Sequence, residues 1–312
     1  MKMQLEWETT LKNPIMNGLS PVIDPFEKDK FLISDGWGST YASMKLRKLS
    51  LANGDEVCSS FIKNTTRCIH FDADAKSIAA VSDNKIFLID RNSMKLIEKF
   101  EDKISKYCDY MNSDDAGRYY MMNYRSGSLF VFDVRNGIGK RKKVGSCGGI
   151  FKIGHREMIV LKPFEGSISI FDVAKEKFIR EIEYSTFHQG HISCSGALFL
   201  RLGKQHLEEN TNSFIDPIDK LRIYKTIYDS EFEEFEIPSG YTRFYLHPSE
   251  EAVSFLNQNS ICNFSLKTKE NGRAIEFDDP FRIVKYFHES NHVLLGNYKD
   301  NYKTIRLVKL FD

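Results

Sequence analysis

The feature that most constrains this chain is a short segment of alternating apolar residues that recurs about every forty residues. Seven segments share the pattern, KLRKLS, KIFLID, SLFVFD, SISIFD, KLRIYK, SICNFS and TIRLVK, and they end at Ser50, Asp90, Asp133, Asp172, Lys225, Ser265 and Lys309. The spacings between these ends are 40, 43, 39, 53, 40 and 44 residues. Five of the six are near the roughly 40–45 residues of a four-stranded repeat. The polar segment 203–219 accounts for the longest spacing, and we predict that it is a loop insertion.

One repeat shows the internal division most clearly. Four short runs, RCIHF (67–71), SIAAV (77–81), KIFLID (85–90) and KLIEKF (95–100), are separated by polar turns, and we label them strands a to d. Alternation in the outer runs indicates half-exposed strands, whereas the continuously apolar b run indicates the buried middle of a sheet. The sequence therefore predicts an all-β fold: a seven-bladed β-propeller with four-stranded antiparallel blades.

The two ends of the sequence complement each other. Residues 281–312 supply only three strands, FRIVKYF, HVLLGNY and TIRLVKLFD, and a spare strand, MQLEWETTL (3–11), precedes the first repeat. A propeller removes its open sheet edges when the N-terminal strand joins the last blade. We therefore predict that residues 3–11 form the outer strand of the last blade, within one domain of residues 1–312.

Residues 69–90, IHFDADAKSIAAVSDNKIFLID, resemble a degenerate WD repeat, with an apolar residue and a Ser-Pro-Asp-Gly-like turn between strands a and b. Residues 111–122 and 245–256 carry similar turns. No repeat starts with Gly-His, and none ends strand c with Trp-Asp. The resemblance implies the architecture, and propellers of the quinoprotein, lactonase or lyase type would have similar periods.

Composition argues against several classes of function. The chain has 44 Lys and Arg against 43 Asp and Glu, a net charge of +1, so we expect neither nucleic acid nor a membrane surface as a partner. No apolar run is long enough for a secretory signal or a membrane span, and the expected location is the cytoplasm. The six cysteines lack CxxC spacing, which favours reduced, buried thiols over a zinc site.

Catalytic motifs are missing from the sequence. It contains neither a GxSxG nucleophile elbow nor a GxxxxGK[ST] phosphate loop. The HxxH pair of His188 and His191 could ligate a metal but lacks an HExxH context. His70, His247 and His288 fall near the ends of strands a rather than at matching depth along them. We therefore expect no catalytic residue, metal or cofactor.

Large side chains in the b–c loops form the first candidate site. These loops carry aromatic and arginine residues where a tight turn needs only Gly, Asn or Asp, and such residues often anchor protein interfaces. The candidate partner-binding residues are Trp37, Tyr41, Tyr124, Arg125, Phe164 and Tyr298. The alternative is that Trp37 and Tyr41 fold back and cover blade edges.

Basic residues at the starts of the inner strands form the second candidate site. They are Arg67, Lys106, Arg243 and Arg282. In a propeller these positions would converge on the central channel, where they could hold a carboxylate, a phosphate or an acidic segment of a partner. The alternative is that each pairs with a nearby Asp or Glu, or points to solvent.

Two hypotheses of function follow from these observations. The first is a non-catalytic protein–protein interaction module or scaffold subunit, monomeric by itself or part of a complex, that presents one loop-rich face to a partner. The second is an enzyme or small-ligand binder that uses the channel mouth, as lyase- or lactonase-like propellers do. The acidic run 231–238 and the basic run 139–145 give two rims opposite charge, which could orient a partner.

Overall fold

Seven antiparallel sheets of successive strands make up the structure, a computed structural model. It describes residues 2–72, 75–83, 85–101, 108–114, 116–123, 127–145, 147–203, 218–237, 240–247 and 249–311. Within these ranges the chain consists of β-strands joined by turns and irregular connections, with three 3-10 helices, Tyr41–Ser43, His288–Ser290 and Tyr298–Asp300. The predicted seven-bladed β-propeller is confirmed.

The strands of each blade follow one another in chain order, apart from the first strand of the chain, which joins the last blade. Blade one contains β2 (Val22–Ile23), β3 (Lys30–Ser34), β4 (Lys45–Ser50) and β5 (Glu56–Phe61). Blade two contains β6 (Cys68–Phe71), β7 (Ser77–Ser82), β8 (Lys85–Asp90) and β9 (Leu96–Glu101). Blade three contains β10 (Tyr110–Ser113), β11 (Arg118–Asn123), β12 (Ser128–Asp133) and β13 (Ile138–Lys143).

The remaining four blades continue the same order. Blade four contains β14 (Gly149–Ile153), β15 (Glu157–Lys162), β16 (Ser167–Asp172) and β17 (Lys177–Glu183). Blade five contains β18 (Gln189–Ile192), β19 (Leu198–Gly203), β20 (Ile218–Tyr224) and β21 (Glu233–Glu236). Blade six contains β22 (Arg243–Leu246), β23 (Ala252–Leu256), β24 (Ser260–Ser265), β25 (Glu270–Asn271) and β26 (Ile275–Glu276). Blade seven contains β27 (Phe281–Phe287), β28 (His292–Asn297), β29 (Thr304–Phe311) and β1 (Lys2–Thr10).

The aspartate that ends strand c in three repeats has a structural role. A carboxylate oxygen of Asp90 accepts the backbone N–H of Ser93 at 2.7 Å, and Asp172 accepts that of Lys175 at 2.8 Å. Asp133 makes equivalent bonds to the turn that follows β12. Aspartate favours turns because its short side chain satisfies backbone N–H groups just ahead of it. The recurring Asp thus stops each strand and starts the c–d turn.

Strand β1 completes the last blade from its outer edge. It pairs antiparallel with β29, with Lys2 opposite Phe311. The indole Nε1 of Trp7 donates to the carbonyl oxygen of Leu51 at 2.8 Å, and Trp7 is buried in the core between blades seven and one. The prediction that the N-terminal strand closes the last blade is confirmed, with strand bounds of 2–10 instead of 3–11.

Blade six has an outer strand in two pieces. Both β25 and β26 pair with β24, one toward each end of it. Between them the backbone N–H of Gly272 donates to the carbonyl of Asn263 at 2.7 Å, which keeps the chain beside the sheet. The blade therefore retains four strand positions although its edge is interrupted.

The chain divides into two compact units. The first is Met1–Val144 with Asp278–Asp312 and holds blades seven, one, two and three; the second is Gly145–Phe277 and holds blades four, five and six. In each, the core lies between neighbouring blades, as Leu32 and Ile78 show in the first and Ile159 and Leu198 in the second. The prediction of a single domain stays a prediction.

The predicted insertion in blade five runs between two described strands. Gly203 ends β19 and Ile218 begins β20, and residues 204–217 lie outside the part of the chain that the structure describes. Among the described residues, no helix is long and apolar enough to cross a membrane.

Candidate functional site

The b–c loop of blade one is held by the segment that follows β1. We call this segment, residues 11–20, the strap. The backbone N–H groups of Gly36 and Trp37 donate to the strap carbonyls of Pro14 and Met16, at 2.9 and 2.6 Å. The loop backbone that carries the exposed tryptophan is therefore bonded to a second segment of chain.

Two glycines allow the strap and the loop to approach this closely. A Cβ atom on Gly36 would lie 2.2 Å from the carbonyl oxygen of Met16 and 2.7 Å from the nitrogen of Gly18. A Cβ on Gly18 would lie 2.5 Å from the carbonyl oxygen of Ser34. Since no other residue lacks a Cβ, this backbone contact requires glycine at both positions.

The strap also binds the b–c loop of blade seven. The N–H of Met16 donates to the carbonyl of Asn301 at 3.1 Å, and the N–H of Leu11 donates to that of Lys303 at 2.9 Å. Three segments are thus joined through backbone hydrogen bonds, and we call them together the platform. The platform consists of residues 11–20, 35–44 and 298–303.

A buried ion pair fixes the base of the platform. Asp35 is fully buried and accepts two hydrogen bonds from the guanidinium of Arg47, at 2.8 and 3.0 Å. The same carboxylate accepts the side-chain amide of Asn13 from the strap at 2.8 Å and the N–H of Lys45 at 2.9 Å. Arg47 also bonds Glu56. Because every member of the network is satisfied, it holds strap, loop and sheet in one arrangement.

The two aromatic residues of the blade-one loop face solvent. The side chains of Trp37 and Tyr41 are 62% and 67% exposed. Rings that are this exposed do not cover a blade edge, which was the structural alternative for them. Their role in binding a partner stays a prediction.

A cleft of about 620 Å³ opens beside these rings. Its lining includes Trp37, Tyr41, Met44, Thr65 and Arg67. Arg67 lies in the connection from blade one to blade two, immediately before β6. The sequence predicts it in a different group, the basic residues of the channel. The structure therefore brings one predicted basic residue together with two predicted aromatic anchors.

A second pairing links the two predicted sets in blade seven. The guanidinium of Arg282 lies 4.6 Å from the ring centroid of Tyr298, which is 39% exposed. The same guanidinium forms an ion pair with Asp279 at 2.9 Å. Pairing with a nearby Asp or Glu was one alternative to a channel role, and the structure shows that pairing for Arg282.

The other predicted residues lie elsewhere. Phe164, in the b–c turn of blade four, is 77% exposed, and Arg243 is the first residue of β22; both belong to the second unit. Convergence of the basic residues on a central channel therefore stays a prediction. Three predicted residues lie outside the described part of the chain: Lys106, Tyr124 and Arg125.

The histidines that could have suggested a metal site make ordinary side-chain contacts. The ring of His191 packs edge-on against Phe151, with centroids 5.3 Å apart, and burial lowers the pKa of His191. Nε2 of His70 lies 2.7 Å from the hydroxyl of Ser113. Among the described residues no three His, Cys, Asp or Glu side chains are grouped so that they could hold a metal ion.

All six cysteines are free, and four of them are buried. Cys194 is exposed, contrary to the expectation of buried thiols, because it lies in the polar a–b turn of blade five. The sulfur atoms of Cys68 and Cys108 lie 3.1 Å apart. Hydrogen bonding to Cys108, together with burial, raises the pKa of Cys68 well above its ordinary value, which keeps this thiol protonated.

Comparison with known proteins identifies the architecture. No protein-family model matches the chain, and no curated protein matches it. The WD40 domain of Pan2 from Neurospora crassa is similar in structure, with a TM-score of 0.71 over 98% of this chain and 94% of that chain. The chain shares the β-propeller fold of that WD40 domain. Sequence identity to that domain is 11%, and 1403 solved chains match, so the likeness establishes the fold alone.

Proposed function

We propose that this chain is a non-catalytic protein-interaction module of the cytoplasm that binds a partner protein through the platform and its cleft. The observation that carries the proposal is the exposure of Trp37 and Tyr41 on a backbone held by the strap. Tryptophan, tyrosine and arginine dominate the binding energy of protein interfaces. All three types line this one cleft.

The rigidity of the platform supports a binding role. Ordering a mobile loop at an interface costs free energy, and a loop that is already ordered avoids this cost. The glycine contacts, the strap hydrogen bonds and the buried Asp35–Arg47 pair all restrain the blade-one loop before any partner arrives. The aromatic rings are therefore presented in a defined place at little entropic cost to the complex.

The part of the proposed binding face that the structure supports best lies in the first unit. There, Trp37, Tyr41 and Arg67 line the cleft. Tyr298 belongs to the neighbouring blade-seven loop, and Arg282, in β27, packs against its ring. Extension of the face to Phe164, Tyr124 and Arg125 is a further part of the proposal that rests on the repeat pattern. As a scaffold subunit, the chain would use this face within a larger complex.

Site-specific photo-crosslinking tests the proposal. Ala42 is exposed next to Tyr41, and Ala174 is exposed in the c–d turn of blade four, so a photo-crosslinking residue at either position replaces the same small side chain. We expect crosslinked partner proteins from the Ala42 position and few from the Ala174 position. The double variant Trp37→Ala/Tyr41→Ala should remove the Ala42 crosslinks while its melting temperature is nearly unchanged. Crosslinks that persist in the double variant would contradict the proposed face.

A further inference from the structure

Arg67 differs from the neighbouring arginines of the first unit in its ionic partners. Arg47 pairs with Asp35 at 2.8 Å, and Arg91 pairs with Asp24 at 3.0 Å. Among the residues that the structure describes, Arg67 has no acidic side chain within ion-pair distance. It is exposed, and it lines the cleft beside Trp37. A guanidinium in this situation can bind a carboxylate of another molecule by donating two parallel hydrogen bonds, the bidentate geometry that arginine favours.

The segments around the cleft carry an excess of positive charge. The platform and the connection 62–67 contain five basic residues, Lys12, Lys63, Arg67, Lys299 and Lys303, against two acidic residues, Asp35 and Asp300. Asp35 is buried against Arg47, and the carboxylate of Asp300 accepts the backbone N–H groups of Lys303 and Thr304. Lys299 has a partner in Asp279, at 3.6 Å. Because the whole chain is nearly neutral, this excess is local and favours an acidic partner surface.

The dimensions of the cleft limit what can occupy it. Pockets of 300–1,000 Å³ hold ligands of about the size of a few amino-acid residues. At about 620 Å³ the cleft can take a short stretch of extended chain, with one side chain directed at Arg67 and another against the indole of Trp37. A folded partner domain would instead have to insert such a stretch as a protruding loop or tail.

We infer that the cleft binds a short acidic peptide segment of the partner, with an Asp or Glu carboxylate on Arg67 and an adjacent apolar side chain against Trp37 and Tyr41. The inference rests on the proposed function and names the chemistry of the partner. A single strand of nucleic acid could also use stacked aromatic rings and an arginine. Tight binding of nucleic acid usually neutralises several phosphates, whereas Arg67 is the one basic side chain among the described residues that line this cleft.

The test is selection from a random library of ten-residue peptides displayed on phage, against the whole chain. Recovered peptides are synthesised with a fluorescent label, and their dissociation constants are measured by fluorescence anisotropy. We expect them to share an Asp or Glu next to an apolar residue. The variant Arg67→Glu should weaken their binding about tenfold or more. The matched control Arg135→Glu, an exposed arginine in the c–d turn of blade three, should leave it unchanged.

A charge exchange separates attraction to Arg67 from other effects of the variant. A recovered peptide whose acidic residue is replaced by Lys should bind Arg67→Glu better than it binds the unaltered chain. Peptides without an acidic residue in common, or equal binding by Arg67→Glu, would overturn the inference. So would tighter, Arg67-dependent binding of a labelled single-stranded decanucleotide.

The two proposals can fail separately. Peptides that lose affinity with Trp37→Ala but not with Arg67→Glu would retain the proposed face and reject the acidic ligand. Peptides that bind both variants as they bind the unaltered chain would reject the face itself, and the inference with it. A library that yields no peptide above background would reject the acidic-peptide inference, while the crosslinking experiment at Ala42 would still decide the face.

Discussion

The b–c loops of blades one and four both present an aromatic ring to solvent, but their surroundings differ. Trp37 of blade one is 62% exposed and stands on a backbone bonded to the strap. Phe164 of blade four is 77% exposed and stands on a short turn, closed by the N–H of Gly166 donating to the carbonyl of Pro163 at 3.2 Å. An exposed ring alone therefore does not distinguish a candidate site, whereas the structure that positions it does.

The ionic contacts beneath the two loops differ in the same way. In blade one the carboxylate of Asp35 is fully buried against Arg47. In blade four Lys162 contacts Glu181 at 2.6 Å, and the side chain of Glu181 is 51% exposed. Water competes with the second pair and not with the first. The energetic consequences of breaking them should therefore differ by several-fold.

The largest expected effect comes from removing the buried carboxylate. Asp35→Ala leaves the guanidinium of Arg47 buried with only Glu56 as a partner and releases Asn13 of the strap. We expect a loss of about 3 kcal/mol in the free energy of unfolding. Glu181→Ala should cost less than about 1 kcal/mol. Urea denaturation followed by circular dichroism measures both, and similar losses would contradict the contrast between the two loops.

Close backbone packing in blade one gives the next effect. Gly36→Ala would place a Cβ atom 2.2 Å from the carbonyl oxygen of Met16, so the strap must move, at a cost of about 1–3 kcal/mol. The comparison is Gly154→Ala in blade four, where φ is +57° but no atom lies within 4 Å of the added Cβ. Its cost should be about 1 kcal/mol, from backbone strain alone.

Loop mobility is a second readout for this pair of variants. Amide hydrogen exchange should become faster at Trp37 in Gly36→Ala, because its N–H donates to the strap. Gly154→Ala should leave exchange at Trp37 unchanged. Unchanged exchange in both variants would show that the strap does not restrain the loop.

The strands of the repeat could be predicted from sequence because their causes are local. The bounds predicted for KIFLID, SLFVFD and SISIFD are those of β8, β12 and β16. Alternating apolar residues specify the strand, and the terminal Asp bonds the turn that ends it. The place of the N-terminal strand in the last blade could also be predicted. It follows from counting strands at the two ends of the sequence, and such a count does not depend on side-chain contacts.

The cleft could not be predicted, because it depends on which loops meet. Sequence reasoning placed Arg67 by its position before a strand and Trp37 by its position in a loop, and the repeat pattern says nothing of their separation. The strap was missed for the same reason. The only signal in the sequence was the pair of glycines, Gly18 and Gly36, and a glycine in a loop does not say which backbone atoms it approaches.

A pH-dependent effect is expected at the buried histidine of blade five. Burial lowers the pKa of His191 in blade five, so the unfolded chain binds a proton more readily than the folded chain does. The stability due to neutral His191 is complete above about pH 6.5 and is lost as the pH falls below that value, with a slope of at most about 1.4 kcal/mol per pH unit. His191→Phe should reduce this slope, as measured by urea denaturation between pH 7.5 and 5.

The buried carboxylate Asp24 in blade one should respond only in stronger acid. Burial acts to raise its pKa, but hydrogen bonds from the N–H of Phe26 and from Lys48 and Arg91 outweigh that effect, so the pKa lies below its ordinary value of 3.8. A carboxylate with a depressed pKa contributes stability that is lost as the pH falls below about 4.

A second buried histidine limits the effect expected of His191→Phe. His292 in blade seven has a pKa lowered mainly by burial, so His191→Phe should remove part of the pH dependence of stability between pH 7.5 and 5 rather than all of it.

The smallest expected effects are those of the exposed rings themselves. Trp37→Ala and Phe164→Ala should each change the free energy of unfolding by less than about 0.5 kcal/mol, because exposed side chains lose little packing on truncation. Fluorescence tests the exposure directly, since the other tryptophan, Trp7, is 8% exposed. Acrylamide should quench Trp37 and spare Trp7, and Trp37→Phe should remove most of the quenchable signal. A loss above about 1 kcal/mol in Trp37→Ala would mean that the indole stabilises the platform by packing, and its exposure would then no longer support a partner-binding role.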